Sequence, residues 1–67
     1  MIEVEVNGET QQLPSGATLE QLLERMALTE QRLAIELNLQ VIPRSRFGQV
    51  ELQSRDRVEI VHAIGGG

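Results

Sequence analysis

Residues 2–6 alternate apolar and polar side chains, and together with the turn residues that follow they restrict the start of the chain to an extended hairpin. In the segment IEVEV, Ile2, Val4 and Val6 fall on one side and two glutamates on the other, which is the two-residue period of a half-buried strand. Asn7-Gly8 follows, and this pair is typical of a two-residue hairpin turn because both central positions need a positive φ. The polar segment ETQQL then predicts a returning strand that ends with Leu13 facing inward.

One helix is predicted after this hairpin. Thr18 and Gln21 have the spacing of a capping box, in which each side chain accepts a hydrogen bond from the other residue's backbone. Apolar residues follow at helical spacing, so one side of the helix is expected to face a core. These residues are Leu19, Leu22, Leu23 and Met26. The helix is expected to end near Leu28, before the polar segment TEQR.

Three further strands are predicted in the C-terminal half. The segment LAIELN alternates, a tight connection is expected at residues 39–40, and VIP predicts a short strand that Pro43 confines to a sheet edge. Residues 44–53 are expected to be irregular, with Phe47 anchoring them to the core. The segment DRVEIVHAI gives the longest strand signal and leads directly into three glycines.

These elements predict an α+β fold with a mixed sheet of four to five strands. The single helix packs on one face of this sheet and leaves the other face uncovered. Leu22, Leu23 and Met26 are expected to be buried against the inward strand residues. These strand residues are Val4, Val6, Ile35, Leu37, Val58 and Ile60. We expect one domain over residues 1–64, followed by a flexible tail of residues 65–67.

Composition excludes most kinds of catalytic site. The 67 residues include no cysteine and a single histidine, His62, so a thiol nucleophile, a disulfide and a thiolate metal site are all excluded. One histidine is too few for catalytic zinc, which usually has about three protein ligands, and His62 is expected to be a sheet residue near a strand end. We therefore predict a protein that is not an enzyme, without a metal site or a stably bound cofactor.

The charge and hydropathy of the chain indicate its kind of partner. A formal net charge of −4 disfavours nucleic acid, because phosphate backbones are themselves negative, and suits a protein partner with a basic face. No apolar run is long enough to span a membrane, and no signal peptide is apparent. We expect a cytoplasmic protein that binds neither membrane nor nucleic acid.

Several residues near the C-terminus are candidates for a partner interface. Val61 and Ala63 alternate with the inward residues of the last strand, so they are expected to face outward together with Ala34 of the neighbouring strand. Ile64, which precedes the glycines, is assigned to the same interface. Arg44 could bind a partner's carboxylates or lie in a solvated loop, and the sequence favours neither alternative.

The glycine tail, Gly65 to Gly67, has no side chains. Three extended residues reach at most roughly 10 Å, and without Cβ atoms they could enter a slot too narrow for other residues. The α-carboxylate on Gly67 is ionised at neutral pH because its ordinary pKa is about 3.3–3.7. It is a poor electrophile until its oxygen becomes a better leaving group, which activation by a nucleotide would accomplish.

Together the motifs resemble one family. The pattern N-x-x-x-I-P-R, formed by Asn38, Ile42, Pro43 and Arg44, accompanies the ending DRVEIVHAIGGG and the N-terminal segment IEVEVNGE. The whole chain is similar to the ThiS family, the sulfur carriers of thiamine biosynthesis, which have a ubiquitin-like β-grasp fold. One departure is the segment NLQ, at a turn where members of the family often have a glycine.

This resemblance implies a mechanism. An E1-like adenylating enzyme of the ThiF type would use ATP and Mg²⁺ to adenylate the carboxylate of Gly67, with Gly65 and Gly66 threading its active site. Sulfur from a cysteine desulfurase persulfide would then replace AMP and leave a thiocarboxylate, which a thiazole synthase of the ThiG type would consume. Two alternatives remain: the small subunit of molybdopterin synthase and a ubiquitin-like protein modifier. A purely structural β-grasp module is a third, weaker one.

Overall fold

The computed structural model describes residues 1–28 and 32–62, and the chain forms one sheet and one α-helix within these ranges. The strands and the helix follow the predicted order along the chain. They are β1 (Ile2–Val6), β2 (Glu9–Leu13), α1 (Leu19–Arg25), β3 (Leu33–Leu37), β4 (Gln40–Ile42) and β5 (Arg57–His62), with a 3₁₀ turn at Arg44–Arg46.

The five strands lie in the order β2-β1-β5-β3-β4. The central strand β5 runs parallel to β1 and antiparallel to β3, while the two hairpins β1–β2 and β3–β4 are antiparallel. The predicted mixed sheet with one helix is therefore confirmed. The short strand β4 lies at the edge, as predicted, but it spans residues 40–42 and ends before Pro43 instead of including it.

Both ends of α1 are fixed by hydrogen bonds. Thr18 Oγ1 accepts a bond from the Gln21 N–H at 3.2 Å, and Gln21 Oε1 accepts one from the Thr18 N–H at 2.9 Å, which confirms the capping box. The helix ends at Arg25, earlier than predicted, because Ala27 adopts a left-handed φ of 59°. The N–H of Leu28 then donates to the carbonyl of Leu23 at 2.9 Å, which forms a Schellman motif with alanine where glycine is usual.

The core lies between α1 and the inward face of the sheet. Leu22 and Leu23 are buried, as predicted, whereas Met26 and Leu37 are only partly buried. Met26 is the C-cap residue, one position beyond the last residue of the helix. The buried residues are Val4, Val6, Leu13, Ala17, Leu19, Leu22, Leu23, Ile35, Phe47, Leu52, Val58 and Ile60.

Two turns with positive φ connect the hairpin strands. Asn7 and Gly8 have φ values of 50° and 86°, which confirms the first hairpin turn. The second turn is formed by Asn38 and Leu39, with φ values of 51° and 71°, and Gln40 already belongs to β4. The prediction of a connection at residues 39–40 was therefore wrong by one residue, because leucine carries no signal for a left-handed backbone.

The irregular segment between β4 and β5 closes one end of the core. Phe47 is buried, so its predicted role as an anchor is confirmed. Leu52 is also buried, and its N–H donates to the carbonyl of Ala17 at 2.7 Å. This bond ties the segment to the residues just before α1. The helix, which has seven residues, is too short to cross a membrane.

Candidate partner-binding face

Among the described residues, several apolar side chains are exposed on the face of the sheet opposite α1. Val61 of β5 and Ala34 of β3 are directly opposite each other in the antiparallel ladder and both are exposed, which confirms that they are neighbours on an uncovered face. Val41 of β4 lies on the same face and is 72% exposed, while Val61 is 60% exposed. We call Ala34, Val41 and Val61 the apolar patch.

Val41 was missed in the sequence because a three-residue strand gives too little alternation to show which side faces outward. Its place follows from the register, which sets Glu36 against Val41 and buries the opposite side, where Ile35 is paired with Ile42. Leu39, in the adjoining turn, is 83% exposed. The apolar surface therefore extends from β5 to the edge of the sheet.

Two carboxylates lie within this face. Glu36 and Glu59 are direct cross-strand partners in the β3–β5 ladder, and like charges directly opposite each other destabilise a sheet. Among residues 1–28 and 32–62, neither carboxylate forms an ion pair or a hydrogen bond. The centre of the face is thus acidic and bordered by apolar side chains, which suits a partner surface that presents arginine or lysine among apolar residues.

The half of the face over β1 and β2 differs in character. Glu5 and Arg57 form an ion pair at 3.4 Å, with the Arg57 side chain largely exposed and the Glu5 side chain partly exposed. Glu3, Thr10 and Gln12 continue a polar surface across the two strands. Exposed ion pairs contribute about 0–1 kcal/mol, so this pair neutralises charge more than it stabilises the fold. The apolar patch is confined to the β5–β3–β4 half.

Arg44 does not lie with the apolar patch. It begins the 3₁₀ turn after β4 and borders a shallow groove of about 180 Å³ together with Glu20, Leu23, Glu24 and Phe47. This groove is beside α1, on the other side of the sheet from Val61. The structure therefore does not bring together the two parts of the predicted interface, and a role of Arg44 in binding stays a prediction.

The predicted reactive end lies outside the described residues. This applies to the interface residues Ala63 and Ile64 and to the tail, Gly65, Gly66 and Gly67. His62 is the last residue of β5 and is exposed, so the prediction that it is a sheet residue near a strand end is confirmed. Within the part of the chain that is described, no three His, Cys, Asp or Glu residues are grouped as a metal site would require.

A five-stranded mixed sheet that holds one helix on one face is the ubiquitin-like β-grasp architecture. The thiamine biosynthesis protein ThiS of Geobacter metallireducens has the same fold: its crystal structure superimposes with a TM-score of 0.83, at 25% identity, covering 98% of this chain and 100% of that one. The predicted fold class is confirmed by this match.

Sequence comparison gives the family. The model of the ThiS family matches residues 3–67. The sulfur carrier protein ThiS of Bacillus subtilis is 40% identical over 50 residues, covering 75% of this chain and 76% of that protein. The thiazole synthase of Magnetococcus marinus is 39% identical over 66 residues, covering 98% of this chain, although the chain spans only 20% of that protein's length. The chain belongs to the ThiS family.

Proposed function

We propose that this protein is a sulfur carrier of thiamine biosynthesis and that the sulfur is carried on the carboxyl group of Gly67. The observation that carries the proposal is that the match to the ThiS family extends through residue 67 and so includes all three glycines. The absence of cysteine from the sequence supports it further, because the chain cannot carry sulfur as a persulfide on a side chain of its own.

The chemistry begins with activation of this carboxylate. A carboxylate oxygen of Gly67 attacks the α-phosphorus of ATP, pyrophosphate leaves, and an acyl-adenylate forms. The terminal sulfur of a persulfide, supplied by a cysteine desulfurase, then attacks the acyl carbon, and AMP leaves. A thiol cleaves the resulting S–S bond, and this step gives a thiocarboxylate on Gly67 and a disulfide on the donor side.

ATP and Mg²⁺ are bound by the adenylating enzyme, of the ThiF type, and not by the carrier. The carrier contributes the substrate carboxylate and a docking surface, so it acts as a protein cosubstrate and not as a catalyst. We assign docking to the apolar patch with Glu36 and Glu59, together with Ala63 and Ile64 beyond the described strand. The tail, Gly65 and Gly66, then enters the active site, where the lack of Cβ atoms allows a narrow passage.

The sulfur acceptor is a thiazole synthase of the ThiG type. Support comes from the Magnetococcus marinus relative, which is named thiazole synthase and includes a segment 39% identical to nearly this entire chain. A carrier segment and a synthase within one protein indicate two activities that act on the same intermediate.

The proposal is tested by intact-protein mass spectrometry after incubation with a ThiF-type enzyme, ATP, Mg²⁺, a cysteine desulfurase and cysteine. The parent protein should gain the mass difference of one oxygen replaced by one sulfur. Gly66→Val and a variant with one residue added after Gly67 should gain none, while their melting temperatures stay equal to that of the parent. Equal sulfur gain by the extended variant would show that the Gly67 carboxyl is not the carrier atom.

A further inference from the structure

The strand that leads to the glycine tail loses one of its two neighbours before it ends. β1 pairs with β5 only through Glu5 opposite Arg57 and Val6 opposite Val58. The chain then turns away at Asn7, whose N–H donates to the carbonyl of Val58 at 2.9 Å. β1 therefore has no main-chain residue to pair with Ile60 or His62, although β5 continues to His62.

The side chain of Asn7 takes the place of the missing strand residue. Its Oδ1 accepts a hydrogen bond from the Ile60 N–H at 2.8 Å, and its Nδ2 donates to the Ile60 carbonyl at 3.3 Å. A carboxamide offers one acceptor and donors in the same arrangement as a peptide group, so it extends the β1–β5 ladder by one step. The two residues are 53 positions apart in sequence.

This contact is the last one that holds β5 from the β1 side in the described residues. Between Ile60 and His62, the last described residue, β5 is paired only with β3, through Ala34 opposite Val61 and Leu33 opposite His62. Gly67 lies seven positions after Ile60, a stretch that spans at most roughly 25 Å. A shift in the direction in which β5 leaves the sheet therefore moves the start of the segment that has to deliver the carboxylate.

We infer that Asn7 is a positioning residue for the reaction at Gly67: by holding Ile60, it fixes the direction in which the tail leaves the sheet. This inference rests on the proposed function. The turn itself does not require the side chain, because glycine adopts the left-handed φ of 50° at this position at least as readily as asparagine. What asparagine adds at this position is the pair of bonds to β5.

Asn38 provides a matched control. It also stands first in a two-residue turn, with a φ of 51°, and its side chain also makes two hydrogen bonds. Its Oδ1 accepts from the Arg57 N–H at 3.0 Å, and its Nδ2 donates to Asp56 Oδ1 at 3.0 Å. These bonds hold the beginning of β5 and not its end. Asn7→Gly and Asn38→Gly thus each remove two side-chain hydrogen bonds, the first at Ile60 within β5 and the second at the start of this strand.

The experiment measures sulfur loading of both variants and of the parent by a ThiF-type enzyme with ATP, Mg²⁺, cysteine desulfurase and cysteine, over a range of carrier concentrations. We expect Asn7→Gly to lower kcat by about three- to ten-fold, because the bound carboxylate is less often in place, and to leave KM within about two-fold of the parent. Asn38→Gly should leave both values unchanged, although it lowers the melting temperature to a similar extent. Amide hydrogen exchange at Ile60 should accelerate in Asn7→Gly alone.

Three results would overturn the inference. An equal loss of kcat in both variants would mean that only stability matters. An unchanged kcat in Asn7→Gly would show that the direction of β5 does not limit the reaction, and a raised KM with unchanged kcat would place Asn7 in the docking surface instead. A parent protein that gains no sulfur would refute the proposed function itself, which is a distinct outcome.

Discussion

Replacing Leu23 by alanine tests the packing of α1 on the sheet. Leu23 is 3% exposed and belongs to the core cluster, and Leu→Ala at such sites costs about 2–5 kcal/mol. Leu23 borders the groove beside Arg44 and Phe47, where neighbouring side chains can move into the vacated space, so we expect a value near the lower limit. Leu22 is completely buried and does not line this groove, so Leu22→Ala should cost more.

A loss of this size is a large fraction of the total stability of so small a domain. At about 0.05–0.15 kcal/mol per residue, 67 residues have a total stability of roughly 3–10 kcal/mol. Each kcal/mol shifts the melting temperature of such a domain by about 4–8 °C, so Leu23→Ala should lower it by at least roughly 8 °C. Leu22→Ala, at a cost of up to about 5 kcal/mol, should lower it further, by about 20 °C or more at that upper limit.

Thermal unfolding followed by circular dichroism measures these shifts, and the chain provides a control. Leu39→Ala removes the same atoms from a side chain that is 83% exposed, so its melting temperature should stay close to that of the parent. If Leu23→Ala and Leu39→Ala had the same melting temperature, α1 would not be packed in the register described.

Two further predictions concern the uncovered face and the end of the helix. Val61→Asp should weaken binding to the ThiF-type enzyme at least ten-fold in titration calorimetry, because it removes apolar area and buries a charge where the partner presents apolar side chains. Thr10→Asp on the polar half adds the same charge outside the apolar patch and serves as the control. Equal affinities of the two variants would exclude the apolar patch from docking. Ala27→Gly should raise the free energy of unfolding by about 0.5–1 kcal/mol, since glycine relieves the strain of the left-handed φ of 59°. Urea unfolding measures this change. A lower free energy of unfolding would contradict the helix ending described.

Local structure could be predicted from the sequence wherever a residue type strongly favours one conformation or one hydrogen-bonding role. The turn at Asn7-Gly8 and the cap at Thr18 and Gln21 were predicted from local chemistry and are confirmed. The order of the strands and the helix along the chain was predicted from the alternation and the helical spacing of apolar residues and is confirmed. Ala34 was predicted to face outward with Val61 on a neighbouring strand, and this is also confirmed, whereas their direct pairing is known only from the structure.

The features that could not be predicted depend on tertiary contacts, which leave no pattern in the local sequence. Ala27 and Leu39 take left-handed φ values, for which neither residue type has a preference. Ala17 and Leu52 are buried in irregular segments, where neither the helical nor the strand period applies. The separation of Arg44 from the apolar patch became apparent only when the 3₁₀ turn was located beside α1.

The central position of β5 has a consequence for the order of folding. The hairpins β1–β2 and β3–β4 are each formed from neighbouring segments, and among the described strands β5 alone joins one hairpin to the other. Pairs close in sequence form early because little chain entropy is lost, whereas β5 must meet β1 across some fifty residues. During synthesis on the ribosome, the sheet therefore stays in two halves until residues 57–62 have emerged, and a chain arrested before them exposes two unjoined hairpin edges.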